Sequence, residues 1–91
     1  MFVLVSYDIE DDRTRTRLAH KLKDFGRRVQ YSVFEAEINE REYAKMVGYL
    51  NSVKLSEKDS IRLYRICLDC VEKIQLWGNG KIQRDADFYI A

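Results

Sequence analysis

The sequence predicts a single α+β domain built on a four-stranded antiparallel sheet with two helices on one face. Three observations predict it. Short β-branched runs alternate with two stretches of helical periodicity along 91 residues, no proline and only four glycines interrupt them, and 46% of residues are apolar, enough for one small core. A chain this short buries only about 60 to 65% of its unfolded surface, so pairing with a second copy is an expected source of further burial.

Taken in order, Phe2-Val3-Leu4-Val5 is a continuous apolar run that reads as a central strand ending at Tyr7-Asp8. Asp11 or Asp12 is placed to cap a first helix, in which Leu18, Leu22 and Phe25 recur at helical spacing until Gly26 supplies a C-terminal stop. From Arg27 to Ile38 the composition is that of strand, but the alternation changes phase: Val29, Tyr31 and Val33 share one parity, Phe34, Ala36 and Ile38 the other. Such a slip calls for a bulge, a bend or a tight hairpin near Ser32-Val33, and two strands in tandem are the simplest account.

Asn39 and Glu42 form a capping-box pair before Tyr43, Met46, Val47 and Leu50, predicting a second helix from about Glu40 to Ser52. Ser60 to Ile66 reads as the next strand, Val71 to Trp77 as a further one stopped at Gly78-Asn79-Gly80, and Phe88-Tyr89-Ile90 as a short edge strand. The order βαββαβ is that of the ferredoxin-like unit, with an extra C-terminal strand. Its second sheet face has no helix to cover it. Tyr7, Tyr31 and Tyr64, with the surplus strand, predict a homodimer by sheet-face packing, residues 71–91 completing it within one domain spanning residues 1–91.

Several classes are excluded. The apolar and β-branched content argues against disorder, and no apolar run approaches the roughly 18 to 20 residues that span a bilayer. The apolar start lacks a basic flank and a small-residue cleavage site, and two cysteines make no disulfide framework, so an intracellular location is expected.

Net charge is only +1, but it is unevenly distributed. Between Arg13 and Arg28 seven basic residues (Arg13, Arg15, Arg17, Lys21, Lys23, Arg27, Arg28) face Asp24 alone, a local net of +6, leaving 9 basic and 14 acidic residues elsewhere, a net of −5. Immediately upstream stand Asp8, Glu10, Asp11 and Asp12. Carboxylates beside guanidinium groups suit a cation-assisted phosphate site, although charge alone favours a solvated helix with an acidic first turn.

Asp8 is the leading candidate, because a carboxylate at the end of a central strand is rigidly held. One carboxylate is a poor Mg²⁺ site, whereas two Asp8 side chains facing each other across a two-fold axis supply a pair. Cys67 and Cys70 form a C-x-x-C, but His20 is the only additional soft ligand, and the motif follows the last strand of the unit, so two semi-buried apolar residues are expected. His20 reads as a surface residue, and Trp77 as a core or dimer anchor. No nucleophile elbow, phosphate-binding glycine loop or dinucleotide fingerprint is present.

The residues Tyr7-Asp8-Ile9, Asp11-Asp12, Arg13-x-Arg15-x-Arg17, Phe25-Gly26 and Arg28-Val29-Gln30-Tyr31-Ser32-Val33-Phe34-Glu35 resemble the small CRISPR-associated endoribonuclease family, the second core protein of spacer acquisition. Asp59-Ser60-Ile61-Arg62 and Tyr64 also fit. The resemblance implies a ferredoxin-like homodimer in the prokaryotic cytoplasm and a phosphodiesterase dependent on Mg²⁺, or another divalent cation such as Mn²⁺, acting on RNA or double-stranded DNA. It further implies a scaffold that bridges copies of the CRISPR acquisition integrase. By that resemblance Asp8 binds the metal and is catalytic, while Tyr7, Arg15, Arg17, Arg28, Ser32 and Phe34 support activity or substrate contact. Arg13, Arg15, Arg17, Lys21, Arg27 and Arg28 are the expected nucleic-acid contacts. A non-catalytic nucleic-acid scaffold is the alternative, and a ferredoxin-like module acting on a protein partner is a weaker third reading.

Overall fold

The computed structural model describes residues 1–80. It contains β1 (Phe2–Asp8), α1 (Asp12–Leu22), β2 (Arg27–Gln30), β3 (Val33–Glu37), α2 (Glu40–Ser52), β4 (Ser60–Ile66) and α3 (Leu68–Glu72). The strands form one antiparallel sheet in the order β2-β3-β1-β4, so β1 is central as its apolar run predicts. Among the described residues no helix is long and apolar enough to cross a membrane.

Local chemistry sets the helix boundaries. The Asp11 carboxylate accepts the backbone N–H and the hydroxyl of Thr14, each at 2.8 Å, starting α1. At α2 the Asn39 side chain and Glu42 bond each other's backbone N–H at 2.8 and 3.0 Å, a complete capping box. Along β1, alternate residues Val3, Val5 and Tyr7 join Leu18, Ala19 and Leu22 of α1, Met46 of α2 and Phe34 and Ala36 of β3 in the buried core. Each large apolar side chain removed from water there contributes about 1.5 to 3 kcal/mol. Leu4 and Ser6 point to the other, partly exposed face. The phase slip is a tight turn at Tyr31-Ser32, with a register irregularity between Arg28 and Gln30.

Four expectations are corrected. Residues 71–77 form no strand: Cys67 opens α3, and the chain runs on irregularly through Ile74 to Trp77. The physical reason is spacing, because Val71 and Ile74 are three apart, a helical interval, and Val71 is buried at 3% exposure. The edge strand read at Phe88 to Ile90 lies outside the described residues. Trp77, read as a core or dimer anchor, is 81% exposed in the single chain, so it is no part of this domain's core. Gly26 does not end α1, which stops at Leu22 with Lys23 as C-cap; it starts the approach of β2 to β3 instead. Tyr7 faces the helices rather than the open sheet face, where of the three tyrosines only Tyr64 remains, paired with Leu4 across β1 and β4.

Glu35 carries a pH effect. It lies on the open face of β3, with one carboxylate oxygen buried and without a hydrogen-bond partner. Burial raises its pKa above the ordinary 4.5, against the opposing pull of the Arg27 charge. Because the folded chain then binds a proton more readily than the unfolded one, stability rises as pH falls from neutrality through the raised value, and levels off below 4.5. Urea midpoints of wild type and Glu35→Gln across that range should show this increment in the wild type alone; an identical pH profile in both would refute it.

Candidate nucleic-acid interface and metal-binding carboxylate

Asp8 is the last residue of β1, pairs with Ser60 of β4, and is exposed. Alternation places it on the open-face side of the sheet with Leu4 and Ser6, opposite to Tyr7. Its carboxylate has no hydrogen-bond or ion-pair partner among the described residues. The turn beyond it is held firmly. Arg15 donates to the carbonyl oxygens of Ile9 at 2.8 Å and Glu10 at 3.3 Å, and it pairs with Asp12. On the other side the Asp59 carboxylate accepts the N–H groups of Glu10 at 3.0 Å and Ser56 at 2.9 Å. Those bonds, Ser56 first and then Glu10, hold the Asp59 carboxyl below its ordinary range, so Asp59 ties the β1 exit to the β4 entry.

One residue back, Tyr7 is buried with its ring stacked on Phe34, centroids 6.3 Å apart, and the Arg28 guanidinium lies 5.5 Å from the Phe34 centroid. The Tyr7 amide donates to the Ser32 carbonyl at 3.1 Å and its hydroxyl to the Tyr31 carbonyl at 3.5 Å, fixing the β2–β3 turn against β1. Between α1 and this turn opens a cleft of roughly 720 Å³ whose lining includes Tyr7, Arg15, Arg28 and Ser32 together with His20, Lys23 and Tyr31. Four of the predicted supporting residues thus meet in one cleft, and Phe34 backs it.

The remaining arginines go elsewhere. Arg13 and Arg17 line a shallow surface with Asp12 and His20, and Arg17 also faces Tyr49 and Ser52 of α2. Lys21 sits 3.8 Å from Asp24 and 5.7 Å from the Tyr49 ring centroid. Arg27 borders a groove on the open face with Leu4, Glu35 and Trp77. The cations of α1 thus divide between the cleft, with Arg15 and Lys23, and an adjoining surface, with Arg13 and Arg17, and Thr16 and His20 border both.

The sequence model of the family described as CRISPR associated protein Cas2 matches residues 1–74. The chain belongs to that family. A CRISPR-associated endoribonuclease Cas2 of Chloroflexus aurantiacus is 39% identical over 90 residues, covering 99% of this chain and 97% of its own. The crystal structure of Streptococcus pyogenes Cas2 at pH 6.5 superposes with a TM-score of 0.70 at 31% identity, covering 86% of this chain and 100% of that one. A chain of a partial Cas6-RT-Cas1–Cas2 complex gives 0.57 at 27% identity, covering 81% and 87%.

In this Cas2-family chain the donor set for a metal is incomplete within one copy: among the described residues no group of three or more His, Cys, Asp or Glu is placed to hold an ion. What the fold offers is one exposed, unpartnered Asp8 carboxylate on the open-face side, an oxygen donor of the kind a hard cation takes but one that would need further donors from outside this chain. Cys67 and Cys70, expected to be semi-buried, are both exposed at the junction of β4 and α3. His20, Lys23 and Tyr31 were not singled out from sequence as parts of this Cas2-family cleft. The signal for Lys23 was present, since Arg15, Ala19 and Lys23 recur every four residues and all three line it.

Proposed function

We propose that this chain is a divalent-cation-dependent endonuclease of CRISPR adaptation, acting as a homodimer on RNA or double-stranded DNA and bridging copies of the acquisition integrase. The observation that carries it is the exposed, unpartnered Asp8 at a strand end, one residue beyond a cleft lined by Tyr7, Arg15, Arg28 and Ser32. The endoribonuclease name of the Chloroflexus relative and the Cas1–Cas2 assembly of the third comparison support the reading.

In the proposed dimer the open sheet faces pack together, with residues 71–91 completing the contact and the two Asp8 carboxylates approaching across the axis. Mg²⁺ or Mn²⁺ bound there would polarise the scissile phosphate and acidify a water. The protein's own part is positional. Arg15 fixes the turn after β1, so that Asp8 is held on a rigid strand end; Tyr7, stacked on Phe34, locks the β2–β3 turn; Arg28 and Lys23 offer charge to phosphates flanking the cleavage point. Arg13, Arg17, Lys21 and Arg27 serve as outer contacts that add to salt-dependent affinity.

The deciding experiment is cleavage of end-labelled RNA and duplex DNA with Mg²⁺ or Mn²⁺, then after exhaustive chelation by EDTA. Cleavage should require the cation and return on its replacement. Activity unchanged by EDTA would overturn the metal-dependent reading. A scaffold role without cleavage is the second reading, favoured by the absence of Asp8 from the residues that line the basic cleft.

A further inference from the structure

Tyr31 is 91% exposed, more than any other large apolar or aromatic side chain described, yet the turn that carries it is hydrogen-bonded to Tyr7. The Tyr7 hydroxyl bonds its carbonyl at 3.5 Å, and the Tyr7 amide bonds the next carbonyl at 3.1 Å. A bulky ring left in water on a fixed turn gains nothing for folding, since burial is what stabilises aromatic side chains. It borders the cleft that also holds Arg15, Lys23, Arg28 and His20. A flat π-face is thereby set beside several cationic side chains in a cleft of roughly 720 Å³.

We propose that Tyr31 is a stacking platform for one unpaired base, with Arg28 and Lys23 taking the phosphates on either side of it. The inference rests on the nucleic-acid reading above and narrows it: this cleft selects single-stranded nucleotides. In a duplex each base has its faces covered by its neighbours, so Tyr31 gains a partner only where a base is unpaired. Arg28 is itself positioned, its guanidinium lying over Phe34, so little is lost in ordering it when a phosphate arrives. Because every base has a π-face, the preference concerns strandedness and not sequence.

The test is fluorescence anisotropy of a labelled short single strand and of the matching duplex, in EDTA so that cleavage does not intervene. Tyr31→Ala should weaken single-strand binding roughly 5- to 150-fold, the span of one lost base–aromatic stack, while leaving duplex binding and the salt slope of both unchanged. Tyr31→Phe and Tyr31→Trp should restore single-strand binding, which a hydroxyl-dependent or purely structural role would not allow. Equal loss on both substrates, or no loss on the single strand, overturns the inference. A wild-type protein that binds duplex but not single strand overturns it while leaving the proposed function standing; one that binds neither overturns both.

Discussion

Asp8→Asn is expected to lower metal-dependent cleavage by at least about 100-fold while leaving the fold and nucleic-acid binding intact. Disturbing even the outer partners of a metal ligand costs about 10 to 100-fold, and here a charged ligand itself would be lost, twice over in a dimer. Stability should hold, because Asp8 is exposed and has no hydrogen-bond or ion-pair partner among the described residues; surface changes of that kind stay within about 0.5 kcal/mol. Binding should hold as well, since the cationic cleft is lined by other residues. The measurement pairs a cleavage time course in Mg²⁺ with a thermal melt and a binding titration on the same preparation. An Asp8→Asn protein that cleaves RNA and duplex DNA at the wild-type rate removes the nuclease assignment and leaves the scaffold. Loss of cleavage accompanied by an equal loss of binding would instead place Asp8 in substrate contact.

What was legible in the sequence was local. Asp11 with Thr14 and Asn39 with Glu42 are chemistry between residues three apart, so both helix starts follow from short spacings. The parity change between Val33 and Phe34 marked a break in a continuous strand composition, whether bulge, bend or hairpin, and the antiparallel pairing of β2 with β3 makes it a hairpin. Residues 71–77 misled because Ile74 and Leu76 alternate as in a strand while Val71 and Ile74 stand at a helical interval, and with Val71 buried the chain is helical to Glu72 and irregular beyond it.

The site divided in the same way. The place of Asp8 at the exposed end of β1 was legible because the strand and its end lie in one segment. The sorting of cations was not, since whether Arg15 or Arg17 meets the β2–β3 turn depends on which side of α1 the sheet order β2-β3-β1-β4 presents to it. Tyr31 shared its strand parity with Val29 and Val33 and so read as sheet-face packing. Only the turn at residues 31–32 removes it from that face and leaves it over the cleft.

Gly26→Ala should be the most damaging single-methyl change in the described chain outside the core. A Cβ at that position would lie 2.1 Å from the Glu35 carbonyl oxygen, 2.6 Å from the Ala36 Cβ and 2.7 Å from the Ala36 Cα. All three atoms belong to β3 and none is the movable end of a side chain. Nor is retreat open to Gly26, whose N–H is bonded to the Leu22 carbonyl at 3.1 Å, closing the turn after α1. Relief therefore requires β2 to part from β3, where the next residues pair as Arg27 with Glu35 and Arg28 with Phe34. The expected cost is about 3 kcal/mol, the upper end for an overpacked site. At about 4 to 8 °C per kcal/mol for a domain of this size, that is a fall in melting temperature of roughly 12 to 24 °C. Gly48→Ala supplies the opposite sign: it lies within α2 with nothing inside 4 Å of its added methyl, and it should stabilise by about 0.5 to 1 kcal/mol. Thermal melts of the two variants against wild type decide the matter, and a Gly26→Ala protein melting within a few degrees of wild type would show that β2 is not held to β3 as described. The same strand carries Arg28 into the turn that bears Tyr31. Where Gly26→Ala remains folded, nucleic-acid affinity should therefore fall with the hairpin, which joins a glycine with no ligand contact of its own to the function of the cleft.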